Sequence, residues 1–190
     1  MKLSSLAFSC LLVILFALMT APVSAAPSQG TTAVMGNVAT YVSIIPTSNG
    51  ITLNLVPEAT ATDATLYLDV VANNAFSITA KEDTGRTEHI GYMQQYTRTS
   101  GEWGTSVLAS PITLTGTTVA DTTVKSLSSP LKASGETFYE GAKPVSGTTV
   151  GSTGHLGPNT FSQPVATTDE HLTGEHDVYR TAVTFTISAS

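Results

Sequence analysis

Residues 178–188 read V-Y-R-T-A-V-T-F-T-I-S, a run without glycine or proline in which the side chains alternate along the chain. In an extended conformation, one side carries four large residues: Tyr179, Val183, Phe185 and Ile187. Alternation with a period of two is typical of a half-buried β-strand. Because one such strand is not stable alone, we expect it to close the interior of a β-domain built from earlier segments.

Several earlier segments have the same strand-like pattern and are separated by turn residues. They are residues 38–44, 51–55, 66–72, 75–81 and 161–165. Asn73 and Asn74 lie between two of these segments and favour a tight hairpin. Helical periodicity is absent after the N-terminal region, so the pattern predicts an all-β fold. An antiparallel β-sandwich of the Ig-like kind is favoured, and a closed barrel is the alternative.

The N-terminal residues predict a secretory signal. Lys2 provides the positive end, residues 6–19 the apolar core, and Val23-Ser24-Ala25 a small-x-small cleavage site. A transmembrane helix needs ~20 apolar residues, which this run does not supply. We therefore predict a cleavable signal helix at 1–25, a flexible leader at 26–37 and one β-sandwich domain at 38–190. The mature protein is then secreted, with no membrane span after signal cleavage.

Composition narrows the classes of partner. The single cysteine, Cys10, lies within the predicted signal, so the exported chain has no disulfide. Without Lys2, seven basic residues stand against fourteen acidic ones, a formal charge of −7. This balance disfavours nucleic acid and anionic membrane surfaces as partners, because both attract basic patches.

No catalytic motif stands out in the sequence. The exported chain lacks a cysteine nucleophile, and Ser106 follows Gly104 but precedes Leu108, so it does not complete a Gly-x-Ser-x-Gly elbow. We therefore predict a protein that is not an enzyme. A metal-dependent hydrolase is the enzymatic alternative.

Two loops combine carboxylates with histidines. Six potential metal ligands occur within nine residues: Asp169, Glu170, His171, Glu175, His176 and Asp177. The histidines are five apart, unlike the i, i+4 pair of a His-Glu-x-x-His helix. A similar acidic loop contains Glu82, Asp83, Glu88 and His89. Solvated loops explain both stretches most simply; if an ion binds, the carboxylates favour calcium as the only cofactor.

Three aromatic residues lie close together in the sequence: Tyr92, Tyr96 and Trp103. Sugar C–H faces pack on such rings while the hydroxyl groups find polar partners, so these residues predict a carbohydrate-binding platform. The alternative is that the three rings fill the core or cover one end of it.

Two segments resemble the WxL domain of secreted cell-surface proteins. Residues 76–80 read F-S-I-T-A and residues 179–187 read Y-R-T-A-V-T-F-T-I, while residues 161–165 are similar to the segment before that family's last strand. Phenylalanine and isoleucine stand here at the positions of the family's Trp-x-Leu motifs. The resemblance implies a β-rich surface domain that associates non-covalently with the cell wall.

Together these features predict a secreted, non-enzymatic protein of the cell surface with a structural, adhesive or wall-associated role. Its expected partners are polymers of the cell envelope or other copies of itself. In one specific form, residues 26–38 add as a strand to the open sheet edge of a neighbour. A carbohydrate-binding module is the alternative function.

Overall fold

The computed structural model describes residues 38–142, 144–146 and 152–190, and Ala39–Ser190 forms one compact unit. The predicted signal and leader lie outside the described residues. Strands alone make up the regular structure of the described ranges, where no helix has the length and apolar character of a membrane span. The strands are β1 (Val42–Pro46), β2 (Thr60–Ala72), β3 (Phe76–Glu82), β4 (Tyr92–Thr97), β5 (Glu102–Pro111), β6 (Thr113–Thr115), β7 (Thr122–Val124), β8 (Glu136–Gly141), β9 (Val145–Ser146), β10 (His155–Pro164), β11 (Asp177–Arg180) and β12 (Val183–Ala189).

These strands form three antiparallel sheets, which confirms the predicted β-sandwich class. The first sheet has the order β1-β2-β10-β6, with β9 also paired to β2. The second has the order β12-β3-β8-β7, and the third is β11-β4-β5. β2 is the centre of the first sheet because β1, β9 and β10 all pair with it.

The core lies between the first and second sheets. Alternate residues of β2 point inward, and so do alternate residues of β3, as expected for strands with one buried face. The most deeply buried of these side chains are Leu68, Val70 and Ile78, each 0 % exposed. Burying one such side chain contributes about 1.5–3 kcal/mol, so these two strands supply much of the stability of the fold.

The predicted hairpin at Asn73-Asn74 is wrong, because β2 and β3 belong to different sheets. The Asn73 side chain explains the difference: its Oδ1 accepts from the Tyr41 amide at 2.7 Å, and its Nδ2 donates to the Ala39 carbonyl at 2.8 Å. Asn73 is therefore bonded to the residues before β1 instead of closing a turn. The chain crosses from one sheet to the other at this point.

The C-terminal run is two strands, not the single strand that its alternation predicts. β11 pairs with β4 in the third sheet, whereas β12 pairs with β3 in the second. The break between the two strands is held by hydrogen bonds to the end of β3 and to the residue that follows it. The Asp83 amide donates to the Ala182 carbonyl at 3.0 Å, and the Thr181 hydroxyl donates to the Glu82 carboxylate at 3.3 Å. Val183, Phe185 and Ile187 pack against the core while staying partly exposed.

Segment 51–55 is also not a strand. Its exposure alternates as in a strand, with Ile51, Leu53 and Leu55 half-buried and Thr52 and Asn54 exposed, but it belongs to no β-ladder. Within the described part of the chain, its backbone makes no hydrogen bond to a neighbouring strand. The segment is extended and apolar on one side, and its main-chain groups have no partner among the described residues.

Candidate functional site: an apolar groove

A groove runs between segment 51–57 and strand β11. The groove consists of two adjoining cavities, with volumes of ≈ 430 and ≈ 570 Å³. The cavities share part of their lining and are therefore two ends of one groove; the shared residues are Ile51, Leu53, Met93, Tyr179 and Arg180.

The floor of the groove is mainly apolar. Leu66, Ile112 and Phe161, which belong to the core, line one end, and Leu108 lines the other. Met93 from β4 lies between the two ends. An occupant that covers these apolar side chains removes them from water, which lowers the free energy of the system.

Both walls of the groove have free backbone groups. On one side, segment 51–55 has no strand partner among the described residues. On the other side, β11 pairs with β4 along one edge only, from Asp177 opposite Thr97 to Arg180 opposite Gln94. An edge with unpaired amide and carbonyl groups is a template for another strand. The groove therefore combines apolar surface with main-chain hydrogen-bonding capacity.

The rim of the groove contains several of the residues predicted to bind metal, but their oxygen atoms are already engaged. Asp169 accepts from the amides of Ala109 and Ala166, each at 2.7 Å. Glu170 accepts a short hydrogen bond from the Ser106 hydroxyl, and its carbonyl accepts from Tyr179 at 2.7 Å. These bonds tie residues 166–170 to β5 and β11.

Asp177 is held in the same way. Its carboxylate accepts from the Thr97 hydroxyl at 2.6 Å and from the Gln95 amide at 2.7 Å, and these two bonds lower its pKa. The Tyr179 pKa is raised by burial and by the nearby charges of Glu170 and Asp169. The rim is therefore a hydrogen-bonded frame for the groove.

The remaining predicted metal ligands, His171, Glu175 and His176, are exposed. Over the ranges 38–142, 144–146 and 152–190, acidic residues and histidines do not gather into a group of three or more that could hold an ion. Of the six predicted residues, Asp169, Glu170 and Asp177 thus make structural hydrogen bonds, and the other three face solvent.

The second acidic loop is not a solvated loop throughout. Glu82 is 3 % exposed and accepts from the Arg86 guanidinium at 2.8 Å. Arg86 also donates to Gln94 Oε1 at 2.6 Å and to the Tyr92 carbonyl at 3.0 Å. The Glu82 and Arg86 side chains therefore form a buried link between the second and third sheets, while Asp83, Glu88 and His89 are exposed.

The structure brings together two of the three predicted sugar-binding rings. Tyr96 and Trp103 are opposite each other on β4 and β5, with ring centroids 5.0 Å apart. The Arg86 guanidinium lies 4.5 Å from the centroid of the Trp103 ring, and that of Arg180 lies 4.5 Å from the Tyr96 ring. Each ring thus has a cation–π partner, which reduces the face available to a sugar.

Tyr92 is separate from this pair. It begins β4 opposite Pro111, is half-buried, and contributes its carbonyl to Arg86. Sequence reasoning missed both arginines, although an arginine near aromatic strand residues is a signal for such stacking. It also missed the groove, because alternation in segment 51–55 does not reveal whether the backbone has a partner.

One buried pair has the chemistry of a general base. His155 Nδ1 lies 2.5 Å from Asp69 Oδ1, and the imidazole stacks on Tyr67 with centroids 4.2 Å apart. The other ring nitrogen, Nε2, is buried and has no partner among the described residues. A general base must come within ~2.6–3.2 Å of the proton it removes. In this closed position the pair acts as a structural link between β2 and β10.

Comparison of the chain with protein-family models, with curated proteins and with solved structures finds no match. The site is therefore interpreted from its own geometry.

Proposed function

We propose that this chain is a secreted, non-enzymatic structural or adhesive protein of the cell surface that associates by accepting an extended segment in its groove. The observation that carries the proposal is the groove itself, which has an apolar floor between two backbones whose facing hydrogen-bonding groups lack a partner within the described chain. Strand addition uses both features, since main-chain bonds provide affinity and alternate side chains enter pockets.

The outer edge of β1 supports the same type of association. β1 pairs with β2 alone in the described chain, and its sequence, VSIIP, has no charged residue to discourage pairing. Two large apolar side chains near this edge point outward, Tyr41 at 56 % exposed and Ile45 at 62 %. A protein with two such surfaces has the means to contact more than one partner.

The location is proposed from the sequence. The signal-like residues 1–25 support export, and the resemblance to the WxL domain supports association with the cell wall. The partners are envelope polymers or other copies of this chain.

Cell fractionation combined with light scattering tests the proposal. We expect the protein in the medium or the cell envelope, without residues 1–25, and in particles larger than one chain. A cytoplasmic monomer that retains its N-terminus would contradict the proposal.

Carbohydrate binding is a second candidate, favoured by the contact between Tyr96 and Trp103 and by the position of Tyr96 in the groove lining. If sugars bind there, Trp103→Ala should abolish binding on a glycan array. Tyr92→Ala is the matched control, because Tyr92 lies outside the ring pair. Glycan binding that survives Trp103→Ala would exclude this platform.

A further inference from the structure

We infer that the groove receives residues 26–38 of a second copy of this chain as an added β-strand. This inference rests on the proposed function and names the partner of the same groove. Three observations support it: the form of the walls, the chemistry of the floor, and the position of Ala39 beside β1.

The walls require an extended occupant. Segment 51–55 is already extended and offers free main-chain groups, and so does the outer edge of β11. A helix satisfies its own amides and carbonyls and would leave these groups unpaired, whereas a strand pairs with them. The five residues of the segment correspond to about 17 Å of strand, at ~3.3 Å per residue.

The floor requires an uncharged occupant. Leu53, Leu66, Met93, Ile112 and Phe161 offer no partner for a buried charge, and an unpaired charge there would be costly. The charged groups of the lining, such as Arg180 and Asp177, belong to β11 and the rim. Residues 26–38 read A-P-S-Q-G-T-T-A-V-M-G-N-V and contain no acidic or basic residue. In an extended chain Val34 and Val38 fall on one side, where they can face an apolar floor.

The position of Ala39 favours a neighbour's segment over the chain's own. The Ala39 carbonyl is bonded to Asn73, opposite the first residues of β1, whereas Pro46 at the far end of β1 lines the groove. A chain's own segment must therefore turn back along the length of β1. The segment of a second copy enters directly, and its thirteen residues span about 43 Å when extended.

This geometry is head to tail. The acceptor groove lies near one end of β1, and the donor segment is joined to the domain at the other end. The contact therefore joins different surfaces of the two copies. Such contacts give rings or open filaments. The inference thus predicts assemblies of many copies, without a limit at the dimer.

Cysteine cross-linking tests the contact, because the exported chain has no cysteine of its own. Exported protein with Val34→Cys is mixed with exported protein with Leu53→Cys under mild oxidation. We expect a disulfide-linked pair of chains, with a yield about tenfold above that of the control, because docking raises the effective concentration of the two thiols. The control pairs Val34→Cys with Thr123→Cys, at an exposed position on β7 in the second sheet.

Equal yields for Leu53→Cys and Thr123→Cys would overturn the inference. A double variant with Val34→Cys and Leu53→Cys separates the two possible donors. We expect it to form chains of linked copies on a denaturing gel. A disulfide found only within single chains would assign the groove to the chain's own segment and overturn the assignment to a second copy.

Assembly size gives an independent measurement. Thr52→Lys places a long charged side chain at an exposed position in the groove lining, and Thr123→Lys makes the same change on β7. We expect light scattering to show monomers for Thr52→Lys and unchanged particles for Thr123→Lys. Unchanged assembly of Thr52→Lys would overturn the inference and leave the proposed function standing. An unaltered protein that is monomeric would overturn both.

Discussion

β3 and the second half of β2, residues 66–72, each bury one whole face, whereas segment 51–55 and β11, which wall the groove, are only half-buried. Both regions alternate in sequence, but Leu68 and Ile78 are 0 % exposed while Leu53 and Tyr179 retain part of their surface. The difference shows where the stability lies. Stability comes mainly from the sandwiched pair of strands, so the groove walls can expose backbone without putting the fold at risk.

The Glu82–Arg86 ion pair joins β3 to the third sheet, which contains β11. Glu82 is the last residue on the buried face of β3, and Arg86 extends from it to Gln94 on β4 and to the Trp103 ring on β5. The Glu82 side chain is 1 % exposed and that of Arg86 7 %. This buried charge pair therefore helps to hold the third sheet, which contains one wall of the groove, against the core.

The largest expected effect on stability is that of removing the Glu82–Arg86 ion pair. Arg86→Ala leaves the Glu82 carboxylate buried without its partner, and we expect a loss of about 3–5 kcal/mol in the free energy of unfolding, measured by urea denaturation. Lys132→Ala is the matched control, because Lys132 and Glu136 form an ion pair with the same i, i+4 spacing but the lysine side chain is 56 % exposed. That change should cost no more than about 1 kcal/mol. If the two variants lose the same free energy of unfolding, the Glu82–Arg86 pair does not hold the third sheet.

The next effect measures the contrast directly. Leu68→Ala removes a side chain that is 0 % exposed in β2, and we expect a loss of about 2–5 kcal/mol. Leu53→Ala makes the same change in the half-buried wall of the groove and should cost about 1 kcal/mol. Urea denaturation of both variants provides the comparison. If Leu53→Ala is as costly as Leu68→Ala, the groove wall is part of the core and is less suited to accept a strand.

The class of fold could be predicted from the sequence because period-two alternation and turn residues are local features. Which strands pair was less accessible. Asn73-Asn74 has the composition of a hairpin turn, but the Asn73 side chain bonds to Ala39 and Tyr41, residues more than thirty positions away. The break at Thr181-Ala182 likewise depends on Glu82 and Asp83. Contacts that are distant in sequence leave no mark in a local pattern.

The candidate site was only partly accessible for the same reason. The sequence grouped Tyr96 with Trp103 because neighbouring strands bring nearby residues together, and the structure places these two rings in contact. The groove, in contrast, depends on a missing partner for segment 51–55. Alternation in the sequence is the same for a paired and an unpaired extended chain.

A smaller effect concerns how the stability of the fold depends on pH. The Lys132 ammonium at 2.7 Å and Ser128 lower the pKa of Glu136, on β8, from 4.5 to about 2. A lowered pKa stabilises the fold above pH 4.5, and this stability is lost as the pH falls towards 2. Because the Glu136 side chain is 22 % exposed, we expect Glu136→Gln to cost about 1 kcal/mol at pH 7 and progressively less as the pH falls through about 2.

Denaturation curves at several pH values provide the measurement for Glu136. Glu140→Gln is the control on the same strand, because its ion pair with Lys125 has both side chains well exposed, at 50 % and 44 %. The difference between this control and the unaltered protein should stay small across the pH range. A Glu136→Gln difference that is equally flat would show that the Lys132 and Ser128 contacts do not stabilise the fold.

The smallest expected effect is that of calcium on the groove rim. Calcium takes six to eight oxygen ligands, but the carboxylates of Asp169 and Asp177 each accept two hydrogen bonds of 2.6–2.7 Å that hold residues beside the groove. These bonds fix the two carboxylates, and acidic residues and histidines of the described chain do not gather into a group of three, so we expect the same Tm in millimolar calcium, in magnesium and in EDTA. A Tm that rises with calcium until it saturates, and no longer does so in Asp169→Asn, would contradict this expectation.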